Sequence, residues 1–134
     1  MFKILVIEDE KNLRVLYQQE FERDGFEVVT AATAVDGLQL VESERPDLVV
    51  MDIRLPGMDG LEAMSRVLDK NPRVPVVLNS AYSSYKDSFM SWAADAYVIK
   101  SSDTGELRRE VEHLLSERRE GPRRRPGGQP QAHS

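Results

Sequence analysis

The chain has 134 residues, no cysteine and a formal net charge of -5 at pH 7. That length supports one domain with a two-sided core, and the lack of cysteine excludes a disulfide framework, a thiolate zinc site and a cysteine nucleophile. Three arginines and no acid follow residue 120, so the preceding body carries -8; this disfavours direct DNA binding, and with no apolar run near the roughly 20 residues of a membrane span a cytoplasmic protein with no membrane partner is expected.

Phe2 to Ile7 is a short apolar run that predicts a first strand, stopped by Glu8-Asp9. Leu13, Leu16, Tyr17 and Phe21 then recur on one face of a helix, ended by Asp24-Gly25. Glu27 to Thr30 predicts the second strand, and Val35, Leu38 and Val41-Glu42 a second helix closed by Arg45-Pro46. Leu48 to Met51 reads as a buried third strand delivering Asp52, and Leu55-Pro56-Gly57 as a turn leading to a helix over about Gly60 to Lys70. Leu61, Met64 and Leu68 face inward there, and Asn71-Pro72 is the stop.

Val74 to Leu78 predicts the fourth strand, with Asn79-Ser80 beyond it; Tyr85 to Ala93 predicts a fourth helix, and Tyr97 to Ile99 a fifth strand leading to Lys100. Asp103 with Glu106 reads as a capping box before the stripe Leu107, Val111, Leu114 and Leu115. Near-continuous apolar strands alternating with helices imply an α/β fold, a doubly wound five-stranded parallel sheet with five helices on both faces. One domain over residues 1–120 is expected, then a disordered tail over 121–134, rich in Pro, Gly and Arg.

Ligands of such sheets bind beyond the carboxyl ends of the strands. Glu8, Asp9, Asp52, Ser80 and Lys100 all fall there. Each alone has an ordinary reading, as a cap, a turn former or a solvated strand end. Their coincidence has another. Clustered carboxylates repel unless they take up a proton or a cation, and an oxygen-only donor set suits Mg²⁺ (or Mn²⁺) sharing its shell with a phosphate. An aspartate can attack phosphorus, with a lysine and a hydroxyl gripping the transferred oxygens.

In order and on these elements, Ile7-Glu8-Asp9-Glu10, Met51-Asp52, Leu55-Pro56-Gly57-Met58-Asp59-Gly60, Ser80-Ala81 and Ile99-Lys100 resemble the receiver domain of bacterial two-component response regulators, including its stand-alone chemotaxis type. The resemblance covers about residues 2–118 and implies a flavodoxin-like sheet of order 2-1-3-4-5. It implies Asp52 as phospho-acceptor, with Glu8, Asp9, Asp52 and the backbone carbonyl of Arg54 around the metal. Lys100 would contact the phosphoryl group, and Ser80 and Tyr97 would switch. Arg54 and Tyr82, both bulky, would flank the path of attacking water and set the lifetime of the phosphoryl group.

On this resemblance the protein is a signalling phospho-acceptor with self-phosphorylating and self-dephosphorylating chemistry, not an ordinary enzyme. Its donor is a sensor histidine kinase, a phosphotransfer protein or a small phosphodonor. Its output is docking through the fourth helix, fifth strand and fifth helix, as a monomer or a phosphorylation-dependent dimer. Ser101 stands where the family usually has proline, which implies loss of the cis X-Pro geometry of relatives, and the stretch from Ser80 to Tyr97 is short for the family. The rivals are a receiver-like interaction module that acts without phosphorylation and a phosphatase or phosphotransferase with an aspartate nucleophile. The second of these commonly places another aspartate where Arg54 stands. A nucleotide-binding protein lacks support, since no glycine-rich loop follows the first strand.

Overall fold

The computed structural model describes residues 1–81 and 93–119. Its centre is β3, Leu48–Met51, all four residues buried. On one side it pairs in parallel with β1, Lys3–Ile7, which in turn pairs with β2, Glu27–Ala31; on the other it pairs with β6, Val76–Ser80, and beyond that β7, Ala96–Ile99. The sheet order is β2-β1-β3-β6-β7, the doubly wound order expected. Strand order reverses between β1 and β3, so the crevice beyond their carboxyl ends is the place for a ligand.

Strand alternation divides the core into two layers. Leu5, Ile7, Val49, Met51, Val76 and Leu78 face α2, Ala34–Glu44, and α3, Gly60–Lys70. Ile4, Val6, Leu48, Val50, Val77 and Val98 face α1, Lys11–Arg23, and α4, Gly105–Arg119. Helix α1 ends at Asp24, followed by Gly25 at φ +97°, a left-handed backbone that glycine adopts without strain. The two helices of the second layer are tied by Arg108, which grips Asp24 through two hydrogen bonds of 2.9 and 2.7 Å and reaches Glu20 at 3.2 Å.

Several expectations are corrected. The fourth strand runs two residues further along than Val74–Leu78, because the ladder continues through buried Asn79 and Ser80, paired with Val98 and Ile99. Their polarity had marked a strand end. Val35 is 57% exposed: α2 approaches the sheet through Gly37, which sits against Ile7, and two residues away on a helix is about 200° around it. The capping box does not form. Asp103 accepts the Gly105 N–H at 2.8 Å, while its own N–H donates to Ser101 Oγ at 3.1 Å and not to Glu106.

A two-stranded antiparallel ribbon, β4 (Arg54–Leu55) with β5 (Met58–Asp59), follows Asp52 and was not expected. Pro56 and Gly57, the latter at φ +80°, make its tight turn. The expected helix over Tyr85 to Ala93 lies outside the described residues, apart from Ala93. So do Tyr82 and the expected tail. Four helices stand among the described residues, none long and apolar enough to cross a membrane. There is no cis peptide among the described residues.

Candidate functional site

Three neighbouring strands end at one edge with a charge or a polar group. Ile7 pairs with Met51 and Met51 with Leu78, so the next residues, Glu8, Asp52 and Asn79, fall in one row across β1, β3 and β6. Glu8 is 2% exposed and Asp52 is 6% exposed. Carboxylates this buried are rare without a partner. Lys100, just past β7, supplies it: its ammonium lies 2.7 Å from Asp52 Oδ2 and 2.9 Å from Glu8 Oε1.

Backbone donors hold the remaining oxygens. The Arg54 N–H donates to Asp52 Oδ1 at 3.3 Å, and the Glu10 N–H to Glu8 Oε2 at 3.1 Å. Asp9, exposed at the rim, completes a set in which Glu8, Asp9 and Asp52 each present an oxygen within 4.8 Å of the others. Three hard oxygen donors at that spacing are able to hold a divalent cation. Beside them opens a cleft of about 400 Å³ lined by Asp9, Ile53, Arg54, Leu55, Pro56 and Asp59. A larger cavity of about 590 Å³ lies near the amino ends of the strands, against Phe2, Asp24, Phe26, Asp47 and Glu112, away from Glu8, Asp9 and Asp52.

Burial raises the Glu8 carboxyl above its ordinary value despite the opposing Lys100. Burial alone would lower the Lys100 ammonium, but its hydrogen bonds to Asp52 and Glu8 carry it well above its ordinary value. Lys100 is therefore charged at every physiological pH, and the acids close over it.

Ser80 is fully buried as the last residue of β6, and its carbonyl accepts the Lys100 N–H at 2.8 Å. Tyr97 is half-buried in β7, pairs with Leu78 and packs on the α2/α3 layer. Arg54 is exposed on the ribbon opposite Asp59. Glu8, Asp9, Asp52 and Lys100 thus come together as the sequence predicted.

Three residues were missed. The Arg14 guanidinium reaches back from α1 to the carbonyls of Glu8 at 2.8 Å and Asp9 at 3.3 Å, fixing the loop that carries both acids. Asn79 donates to the Tyr17 hydroxyl at 3.0 Å beneath the site. Tyr17 had been read as part of an apolar stripe, and nothing in its spacing separates a phenol with a polar task from one that fills space.

A five-stranded sheet of this order, with acids at the switch point and a lysine beyond the last strand, is the arrangement of a two-component receiver domain. Residues 4–112 match the response regulator receiver domain, and the chain belongs to that family. It is 33% identical over 115 residues to sporulation initiation phosphotransferase F of Bacillus subtilis, a match covering 84% of this chain and 93% of that protein. It is 32% identical to the alkaline phosphatase synthesis transcriptional regulatory protein PhoP of the same bacterium, but spans only 48% of its length. Among solved structures, the response regulator TrrA from Thermotoga maritima in complex with Mg(2+)-BeF is similar with a TM-score of 0.82 at 40% identity, covering 86% of this chain and all of that one. TrrA bound to the histidine kinase ThkA is similar with a TM-score of 0.80.

Proposed function

We propose that Asp52 accepts a phosphoryl group from a histidine kinase, a phosphotransfer protein or a small phosphodonor in the cytoplasm, and that the phosphorylated chain signals by docking to another protein. The observation that carries this reading is the Lys100 bridge, which holds Asp52 and Glu8 together beside Asp9. The complexes of the similar TrrA with Mg(2+)-BeF and with a histidine kinase support it.

In the step itself an Asp52 carboxylate oxygen attacks phosphorus and forms a P–O bond. The donor's P–N bond breaks, its electron pair staying on the imidazole nitrogen, which takes up a proton; with acetyl phosphate the P–O bond breaks and acetate leaves. Glu8, Asp9, Asp52 and the Arg54 backbone carbonyl would hold Mg²⁺ or Mn²⁺. Such a cation neutralises charge on the transferring group. The Lys100 ammonium, already on Asp52, passes to a phosphoryl oxygen. The Ser80 hydroxyl bonds another, and Tyr97 follows it inward, shifting a pre-existing equilibrium of the face that includes β7 and α4. Arg54, exposed on the ribbon that follows Asp52, would flank the path of attacking water and set how long the group persists.

Domain limits of 1–120 with a tail over 121–134 belong to the same proposal. The test is intact mass after incubation with acetyl phosphate and Mg²⁺, beside Asp52→Asn and an EDTA control. One added phosphoryl group requiring both Asp52 and the metal is the expected result. No adduct on folded protein would transfer the assignment to a phosphate-independent interaction module.

A further inference from the structure

The charged edge continues into a neutral polar pair. In the α1/α4 layer the row Val6, Val50 and Val77 is entirely apolar, and the next row up the same face is Glu8, Asp52 and Asn79. Asn79 therefore flanks Asp52 on the side opposite Glu8. It is 3% exposed, and its side-chain partner among the described residues, Tyr17 of α1, is also 3% exposed. Fold alone does not call for this pair, since the preceding residues of β6 are Val76, Val77 and Leu78 and a leucine at 79 would extend that run.

Two buried neutral groups that satisfy each other add little net stability over an apolar pair of the same shape. The bond does fix geometry. Asn79 Nδ2 donates to the phenol oxygen at 3.0 Å, so the Tyr17 proton is left to be given elsewhere. Burial pushes the Tyr17 hydroxyl up, the Asn79 hydrogen bond and Lys100 oppose the rise, and Glu8 and Asp52 add to it. Asn79 immediately precedes Ser80, and its partner in β7 is Val98, two residues before Lys100. The pair thus touches the strands that carry Ser80 and Lys100.

We propose that Tyr17 and Asn79 are positioning residues, whose buried hydrogen bond anchors the carboxyl end of β6 to α1 and so fixes Asp52, Glu8 and Lys100 for binding a divalent cation and a phosphoryl group. The phosphoryl half of this statement rests on the function proposed above; the cation half does not. Groups that orient metal ligands from behind typically change metal affinity or activity by about 10- to 100-fold when removed.

The test is the double variant Tyr17→Phe/Asn79→Leu, which removes both polar groups together and leaves neither stranded. Thermal unfolding without metal serves as the folding control, Mg²⁺ alone is titrated by calorimetry, and phosphorylation by acetyl phosphate is followed by intact mass. The expected result is an unfolding midpoint near wild type, a Mg²⁺ dissociation constant raised about tenfold, and slower phosphorylation at fixed Mg²⁺. A stable double variant with wild-type Mg²⁺ affinity overturns the proposal and leaves the pair as packing. Should the double variant fail to fold, Tyr17→Phe, which keeps the ring, is judged by the same affinity. If wild type binds Mg²⁺ but gains no phosphoryl group, the function assigned to Asp52 fails, and the positioning role is decided on the cation titration alone.

Discussion

Lys100 holds two carboxylates at once, and their burial makes it hard to replace. Breaking a buried ion pair by removing one partner costs about 3 kcal/mol, because the other charge is left uncompensated. Lys100→Met is therefore expected to lose on the order of 3 kcal/mol in metal-free buffer, with the midpoint of urea unfolding as the measure. A cation in the acidic cluster would supply the missing charge. Millimolar Mg²⁺ should then raise the unfolding midpoint of Lys100→Met more than that of wild type; equal shifts would show that the lysine and the cation do not answer the same acids. At this scale the charged residues were legible because they coincide at the ends of apolar strands, which the ordinary reading of each alone does not explain. Asn79 was noted only as a strand end and Tyr17 only as an apolar contact. A buried neutral hydrogen bond leaves no mark in charge or periodicity.

The ribbon of β4 and β5 shows what escapes at the scale of elements. Two-residue strands are too short for any alternation to register, yet this ribbon decides where Asp52 stands. Gly60, the first residue of α3, donates its N–H to Ile53 O at 2.6 Å, and a Cβ there would be driven into the backbone of Asp52 and Ile53. Gly60→Ala is thus expected to cost about 1–3 kcal/mol and to slow phosphorylation by moving the acceptor, which urea unfolding and intact mass would measure together. Wild-type values in both would mean that the ribbon yields at no cost. The link between α1 and α4 is electrostatic. Its bond to Arg108 holds the Asp24 carboxyl below its ordinary value, so its contribution is present above the unfolded value near 3.9 and is lost as pH falls through the folded one. Asp24→Asn should lower the thermal midpoint at pH 7, with the gap to wild type closing below about pH 4. A gap that does not change with pH would assign the loss to something other than this ion pair. The long helices were legible from their stripes and stops. The shift of β6 was not, because buried Asn79 and Ser80 read as a loop until their ladder partners are seen.

Among the described residues, several acids away from the carboxyl edge have basic partners of their own. Lys3 sits 2.8 Å from Glu44 and 3.7 Å from Glu27, Arg108 serves Asp24 and Glu20, and Lys70 lies 2.9 Å from Glu42. At the carboxyl edge Glu8 and Asp52 share the Lys100 ammonium, and Asp9 lies beside them. Parallel strands bring this about: every strand points the same way, so the acids that follow β1 and β3 gather at one end, and the sequence period alone was enough to foresee it. A chain with a formal net charge of -5 will attract Mg²⁺ diffusely, but among the described residues that edge is where acidic oxygen donors come close enough together to hold it. Because the ligands come from separate strands, they are assembled only in the folded chain, and cation binding must add to stability. At a free Mg²⁺ concentration 100 times the dissociation constant the gain is about 2.7 kcal/mol, rising with the logarithm of concentration above that. Thermal midpoints across a Mg²⁺ series should follow that dependence in wild type and lose most of it in Glu8→Gln. A midpoint equally responsive in Glu8→Gln would mean that the ion acts by screening the acidic surface and that the strand ends hold no cation of their own.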